Sequence, residues 1–264
     1  MSTPTLVLVV GAFDPSGSGS LPADAVTCAR LGGHALSAIT AVHVQDTVST
    51  EDIQILSPEL IDDQIRCVLE DMNIQAIKVG GLYNIESVRV LAQIAADYSH
   101  MPLMLHLEAL PDNSLLEDDD PEEVLSALFE LLLPQTNLVL AEHNLLAHWK
   151  TDGLLAGSDT DPPVRVLQEY GARWVLSTGF PIRPGHKACL LHGPEQATFN
   201  WEWQAPPPRL ANPNGPLSCA LAIELGKGSA MPQAVETALA LAEPLAASTF
   251  QPGMGSRLIN RSIP

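Results

Sequence analysis

The sequence predicts an α/β fold of three layers, α/β/α, around a mostly parallel central sheet. Three observations carry that prediction. Apolar, β-rich runs alternate with helical patterns along nearly the whole chain. The first run, residues 5–10, is continuously apolar, as a strand buried on both faces must be, and it stops at Gly11. The 264 residues, 46% of them hydrophobic, are enough to bury a large core. No linker-like stretch or internal repeat divides the chain, so residues 1–264 are read as one domain.

The elements follow in order. Residues 20–31 form a helix, with Pro22 in the first turn, where a missing N–H costs nothing, and Gly32-Gly33 after its end. Residues 35–42 are the second strand. Residues 57–72 are an amphipathic helix with Leu60, Ile61, Ile65, Val68 and Leu69 on one face. A strand at 75–79 closes on Gly80-Gly81, and a helix at 85–96 leads to a strand at 101–107. A helix at 121–133, a strand at 137–140, a short helix at 163–170 and a strand at 173–177 continue the alternation. Residues 187–191 and 197–201 read as a hairpin around His192-Gly193-Pro194. Two helices finish the chain, 216–227 and 231–248, the second interrupted by Pro244.

Charge excludes several functions. Thirteen basic residues stand against 31 acidic ones, a net of -18. Such a chain has no electrostatic footprint for nucleic acid or an anionic membrane. The balance fits a soluble acidic cytosolic protein, or a host that keeps high salt or osmolyte levels. There are four lysines, Lys78, Lys150, Lys187 and Lys227, so any anionic substrate must be held by local features. No apolar window reaches the length of about 18 residues that a membrane span needs. The N-terminal run lacks the basic start of a signal peptide, and a cytoplasmic location is expected. The four cysteines are widely spaced without a CxxC pair, which reads as free thiols. Residues 117–123 carry six acids in seven positions and read as a solvated loop that caps the following helix.

In open α/β sheets, ligands bind beyond the carboxyl ends of the strands. Residues 11–24, GAFDPSGSGSLPAD, lie at such a place, between the first strand and the first helix. They form neither a GxGxxG nor a Walker motif. Spacing alone reads them as a Gly/Ser turn, Asp24 as a first-turn helix acid, and Gln45 as a turn residue before 47–48.

Here the residues carry a resemblance. Asp14-Pro15-Ser16-Gly17-Ser18-Gly19, Ala23-Asp24, Leu31-Gly32, Ile39-Thr40-Ala41 and Val44-Gln45-Asp46-Thr47 resemble the opening of one family. It is the bacterial hydroxymethylpyrimidine/phosphomethylpyrimidine kinases of thiamine biosynthesis, in the ribokinase-like superfamily. Lys78-Val79-Gly80, the strand–helix order and the closing Gly253-Met254-Gly255 extend the match over the whole chain. The resemblance implies that Asp24 and Gln45 contact an aminopyrimidine in a pocket also lined by Gly11 and Ala12. A carboxylate and an amide suit that ligand, which offers ring-nitrogen acceptors and an amino donor. A pocket methionine of many relatives is replaced by Gly81, which would enlarge the pocket.

Other landmarks depart. The family's Gly-x-Gly-Cys turn, its phosphoryl anion hole and base, falls on Asn212-Pro213-Asn214-Gly215. Pro213 and Pro216 have no N–H, and Gly215, at the position of the family's cysteine, has no base; Asn214 precedes it. Cys219 lies one turn deeper and is expected to pack in the core. Asp-Pro-Val becomes His106-Leu107-Glu108, with His106 and His143 the histidines near the inferred cleft. Thr-Pro-Asn becomes Leu140-Ala141-Glu142, where Glu142 could hold a metal-bound water. The later Gly-rich turn becomes Thr178-Gly179-Phe180, its first two residues kept for nucleotide and Phe180 intruding.

The resemblance therefore implies an ATP- and magnesium-dependent kinase acting on hydroxymethylpyrimidine or its phosphate, with impaired catalysis. The alternative is a non-catalytic pyrimidine-binding or regulatory pseudokinase on the same fold. A homodimer is implied by the resemblance as well.

Overall fold

Strand β1, Thr5–Phe13, organises the sheet. It pairs in parallel with β2, Gly33–Gln45, on one side and with β4, Ala76–Val79, on the other. The computed structural model that shows this describes residues 3–116, 120–155, 162–184 and 186–262. From β4 the parallel ladder continues through β5, Leu103–His106, β6, Leu138–Glu142, and β7, Val175–Arg183. Antiparallel strands close both edges: β3, Thr50–Ile55, beside β2, and β8, His186–His192, with β9, Thr198–Trp203, beside β7. The order β3-β2-β1-β4-β5-β6-β7-β8-β9 makes a mostly parallel sheet.

Alternation along β1 explains the layers. Val7 and Val9 face one core with α1, Ser20–Arg30, α7, Gly215–Gly226, and α8, Met231–Ala247. Leu8 and Val10 face the other, built from α2, Pro58–Asp71, α3, Ile85–Asp97, α4, Pro121–Ala127, α5, His143–Thr151, and α6, Pro163–Glu169. Both faces of the central strands are covered, which is why their sequences are continuously apolar rather than alternating. The chain leaves β1 through α1 toward β2, then returns through α2 to β4 on the opposite side of β1. That reversal opens a crevice beyond the carboxyl ends of β1 and β4.

The predicted elements recur, with instructive differences. β2 runs on to Gln45 and pairs with β3, a strand the sequence reading lacked because TEDIQI is an exposed, polar-rich edge. Helix α5 was also unread; it starts directly after β6 and buries Leu146 and Trp149. The helix expected at 121–133 stays α-helical only to Ala127, then widens to a π-turn at Leu128–Leu132. α8 runs through Pro244 to Ala247 instead of breaking there. Of the acidic run, 117–119 lie outside the described residues; Asp120 caps α4, its carboxylate accepting from the Glu122 N–H at 2.9 Å. The four cysteines are free thiols. Among the described residues no helix is long and apolar enough to cross a membrane.

Beneath the crevice, Lys78 of β4 meets Asp24 of α1, Nζ to Oδ2 at 2.6 Å, each side chain only 4% exposed. Burial opposes the lysine's charge, but Asp24 and its neighbours outweigh it and hold the pKa above the ordinary lysine value. Removing one partner would strand a buried charge. Lys78→Met is expected to cost about 3–5 kcal/mol in urea unfolding, and Lys78→Met with Asp24→Leu to regain most of it. A single variant as stable as the parent would contradict the pair's structural role.

Candidate active site

The loop after β1 is shaped by one carboxylate. Asp14 Oδ1 accepts from the Ser16 N–H at 2.8 Å and the Ser16 hydroxyl at 2.7 Å. Its Oδ2 accepts from the Ser18 hydroxyl at 2.6 Å and from the Ser18 and Gly19 N–H groups at 3.1 Å each. This folding of the loop onto its own first residue needs Gly17 at φ 65°, a left-handed conformation natural to glycine.

Beside that loop lies a cavity of about 440 Å³, walled by Asp14, Ser18, His43, Gln45, Tyr83, Glu108, Asp112 and Asn212 among others. Its polar side chains form a chain of donors. Gln45 Oε1 can only accept, so His43 donates from Nδ1 at 3.2 Å, and its Nε2 therefore accepts from the Tyr83 hydroxyl at 2.9 Å. The Thr50 hydroxyl also donates to Gln45 Oε1, at 2.7 Å. Gln45 Nε2 donates to the Ser18 hydroxyl at 3.4 Å, which in turn donates to Asp14. The oxygen of Gln45 is thus occupied twice, while its amide keeps one N–H to offer. Desolvation holds His43 below its usual pKa against the pull of Gln45 and Asp14, which keeps it neutral. Desolvation, with Glu108 and Asp14, raises the pKa of Tyr83 and keeps it a hydroxyl donor.

A second cavity, about 300 Å³, adjoins the first and shares Glu108, Ala109 and Asn212 with it. His106, Glu142, Pro213 and Asn214 complete its polar end. Burial lowers the His106 pKa to about 3, and Lys78 adds to the effect. Partial desolvation on the cavity wall, where the Glu108 side chain stays 37% exposed, raises its pKa to about 7, opposed by Lys78 and assisted by Asp24 and Asp14. The Asn214 amide reaches Glu142 Oε1 at 3.5 Å, while its own Oδ1 is buried with no hydrogen-bond partner. At the start of α7, Pro213 and Pro216 have no N–H, and the Gly215 N–H already donates to Asn212 O at 3.1 Å. The amides that could meet a transferring phosphoryl group are therefore mostly absent or committed, and this end does not fit one well.

Of the residues named from sequence, Gln45 faces the first cavity, and Asn214 and Glu142 face the second. Asp24 lies under the floor, bound to Lys78 and approached by Cys219 Sγ at 3.1 Å. Gly11 and Ala12 are buried in β1 and lie outside both walls. Gly81 does not enlarge the pocket: a side chain there would collide with the ring and hydroxyl of Tyr83, which fills the space. Gly215 is buried at the start of α7, where a Cβ would sit 3.2 Å from the Asn212 amide. Thr178 is buried in β7 opposite Glu142, and Gly179 has φ 79°; neither reaches the cavities. Phe180 packs edge-on against His143, ring centres 4.8 Å apart. Cys219 packs in the core as expected. Among the described residues no group of three or more His, Cys, Asp or Glu side chains gathers to hold a metal.

The sequence reading assigned no pocket role to Asp14, His43 or Tyr83. The signal for His43 was its place two residues before Gln45, on the same face of a strand; Tyr83 carried none.

Comparison with known proteins decides the family. The phosphomethylpyrimidine kinase family matches residues 14–260. The chain belongs to that family. A hydroxymethylpyrimidine/phosphomethylpyrimidine kinase of Mycobacterium tuberculosis is 29% identical over 240 residues, covering 89% of this chain and 85% of its own. Its namesake in Streptomyces coelicolor is 29% identical over 250 residues, covering 89% and 86%. Among solved structures, Bacillus subtilis pyridoxal kinase in complex with ADP shares the fold at TM-score 0.82 and 17% identity, covering 98% of each chain. The phosphomethylpyrimidine kinase of Clostridium difficile does so at TM-score 0.72 and 21% identity, covering 91% of this chain and 99% of its own. The fold is thus that of the ribokinase-like vitamin kinases.

The two shifted groups of this family member act oppositely on stability. Between about pH 3 and 6.5 the unfolded chain binds a proton at His106 that the folded one refuses, so acid destabilises. Between about pH 4.5 and 7 the folded chain holds a proton on Glu108 that the unfolded one has lost, so acid stabilises. Where the windows overlap the slopes offset. Glu108→Gln removes the second slope, so its urea midpoint should fall more steeply than the parent's from pH 6.5 to 4.5. Parallel profiles would refute the assignment.

Proposed function

We propose that this chain binds hydroxymethylpyrimidine in the first cavity and phosphorylates it with ATP only slowly. One observation carries the reading: Gln45 stands on the Tyr83–His43–Gln45–Ser18–Asp14 chain with a single amide N–H free for a ring nitrogen. In this reading the amino group of the pyrimidine finds an acceptor in Glu108. Asp24 supports the floor without touching the ligand. Family membership supports phosphoryl transfer from ATP, and thiamine biosynthesis as its setting. Glu142 is the residue that would hold a magnesium-bound water, the metal supplying charge neutralisation to the phosphates. Thr178 and Gly179, within β7, are the positions that this reading gives to the nucleotide. The homodimer implied by the resemblance stands with this reading, and the exposed strip of Phe13, Val42 and Val44 supports it.

Slow turnover follows from the start of α7. Positioning and charge neutralisation dominate phosphoryl transfer, and the residues at 213–216 provide few amides and no base. The same feature favours the second reading, a pyrimidine-binding pseudokinase. Rebuilding the turn distinguishes them. The changes are Asn212→Gly, Pro213→Thr, Asn214→Gly, Gly215→Cys and Pro216→Thr together; the first also clears the space that a Gly215 side chain needs. Pyrimidine-dependent ADP release should rise about 10²-fold. Saturable pyrimidine binding with no ADP release from the parent or the rebuilt chain would favour the pseudokinase.

A further inference from the structure

The two joined cavities are walled by the carboxylates of Asp14, Glu108, Asp112 and Glu142, and among the described residues by no lysine or arginine. His43 and His106 are held neutral by desolvation and add no positive charge. Lys78 lies beneath the wall and is already bound to Asp24 at 2.6 Å. Arg261, the other cation that acts on Asp14 and Asp24, is engaged by the Thr27 hydroxyl and the Gly17 and Ile259 carbonyls outside both cavity walls, and the chain as a whole carries net -18.

Not all of these acids are free to bind. Asp14 is saturated by the loop donors, and Asp112 is engaged by Ser114. Among the described residues Glu108 accepts no hydrogen bond and stands 3.6 Å from His106 Nδ1, and Glu142 accepts one, from the Asn214 amide at 3.5 Å. Asn214 Oδ1, on a side chain 3% exposed that borders the second cavity, has no donor at all. Among the described residues the uncommitted acceptors around the junction are these three, Glu142 anionic and Glu108 becoming so above about pH 7, beside the amide N–H groups of Asn212 and Gln45. The matching ligand carries donors and positive charge there, with one acceptor for Gln45.

We propose, resting on the aminopyrimidine reading above, that the cleft selects cationic or neutral unphosphorylated aminopyrimidines and rejects the phosphate ester. The substituent at the ring's 5-position faces Glu108 and Glu142. An aminomethyl group there gains an ion pair, a hydroxymethyl group a hydrogen bond, and a phosphomethyl dianion only repulsion. Without a metal ion the cleft would thus hold the alcohol and exclude its phosphate ester.

Calorimetry on the full chain at about pH 8, where Glu108 has lost its proton, at low salt and without divalent cations tests this. The probes are 4-amino-5-hydroxymethyl-2-methylpyrimidine, its 5-aminomethyl counterpart and its phosphate ester. The amine should bind about tenfold tighter than the alcohol, and the ester at least about 100-fold more weakly. The amine's advantage should shrink as salt is added, and Glu108→Gln should bring the amine-to-alcohol ratio toward one. An ester bound as tightly as the alcohol overturns the proposal but leaves the pyrimidine reading standing, as does an amine with no advantage. Binding of none of the three overturns both.

Discussion

Lys78 is one of four lysines in the chain, and it is buried against a single carboxylate. Asp24, its partner, belongs to α1, Lys78 to β4, and Cys219, which also approaches Asp24, to α7. Those are the three elements that meet where the sheet reverses direction. The pair therefore fixes the floor of the cleft, and everything above it inherits that geometry. It also ties up the Lys78 charge beneath the cleft. A buried ion pair is seldom a net source of stability, but breaking one is costly, so this one is better understood as specifying how the three elements meet.

Above that floor the cleft divides into two chemically different ends. The β1–α1 loop and β2 build a polar wall in which a chain of hydrogen bonds ends on Asp14 and leaves one Gln45 N–H to offer. At the other end, the start of α7 has two prolines and a committed glycine amide, and a buried asparagine oxygen without a donor. On the proposed function, substrate recognition and phosphoryl stabilisation are separable in this fold. The first depends on side chains fixed by a strand and a loop, the second on backbone N–H groups that proline deletes outright.

Much of this was legible in the sequence. The layered fold followed from continuous apolar runs, because a parallel sheet buried on both faces leaves no other pattern. The GAFDPSGSGSLPAD loop and Gln45 pointed to one wall, and the prolines at 213 and 216 to the altered opposite end. What was not legible depended on tertiary fit. Asp24 looked like a ligand contact but is turned down toward Lys78. Gly81 looked like added space, yet Tyr83, two residues later in a loop, folds back to fill it. Strand β3 and helix α5 escaped because an exposed edge and a short helix with two buried positions carry weak periodic signals.

The central claim is that the pyrimidine end of the cleft is intact while the phosphate end is not. Paired calorimetric titrations test it most directly, one with hydroxymethylpyrimidine and one with Mg-ATP, each added alone to the full chain. The account predicts saturable binding of both, with the nucleotide bound markedly more weakly than the pyrimidine. Tight Mg-ATP binding with no pyrimidine binding would contradict it.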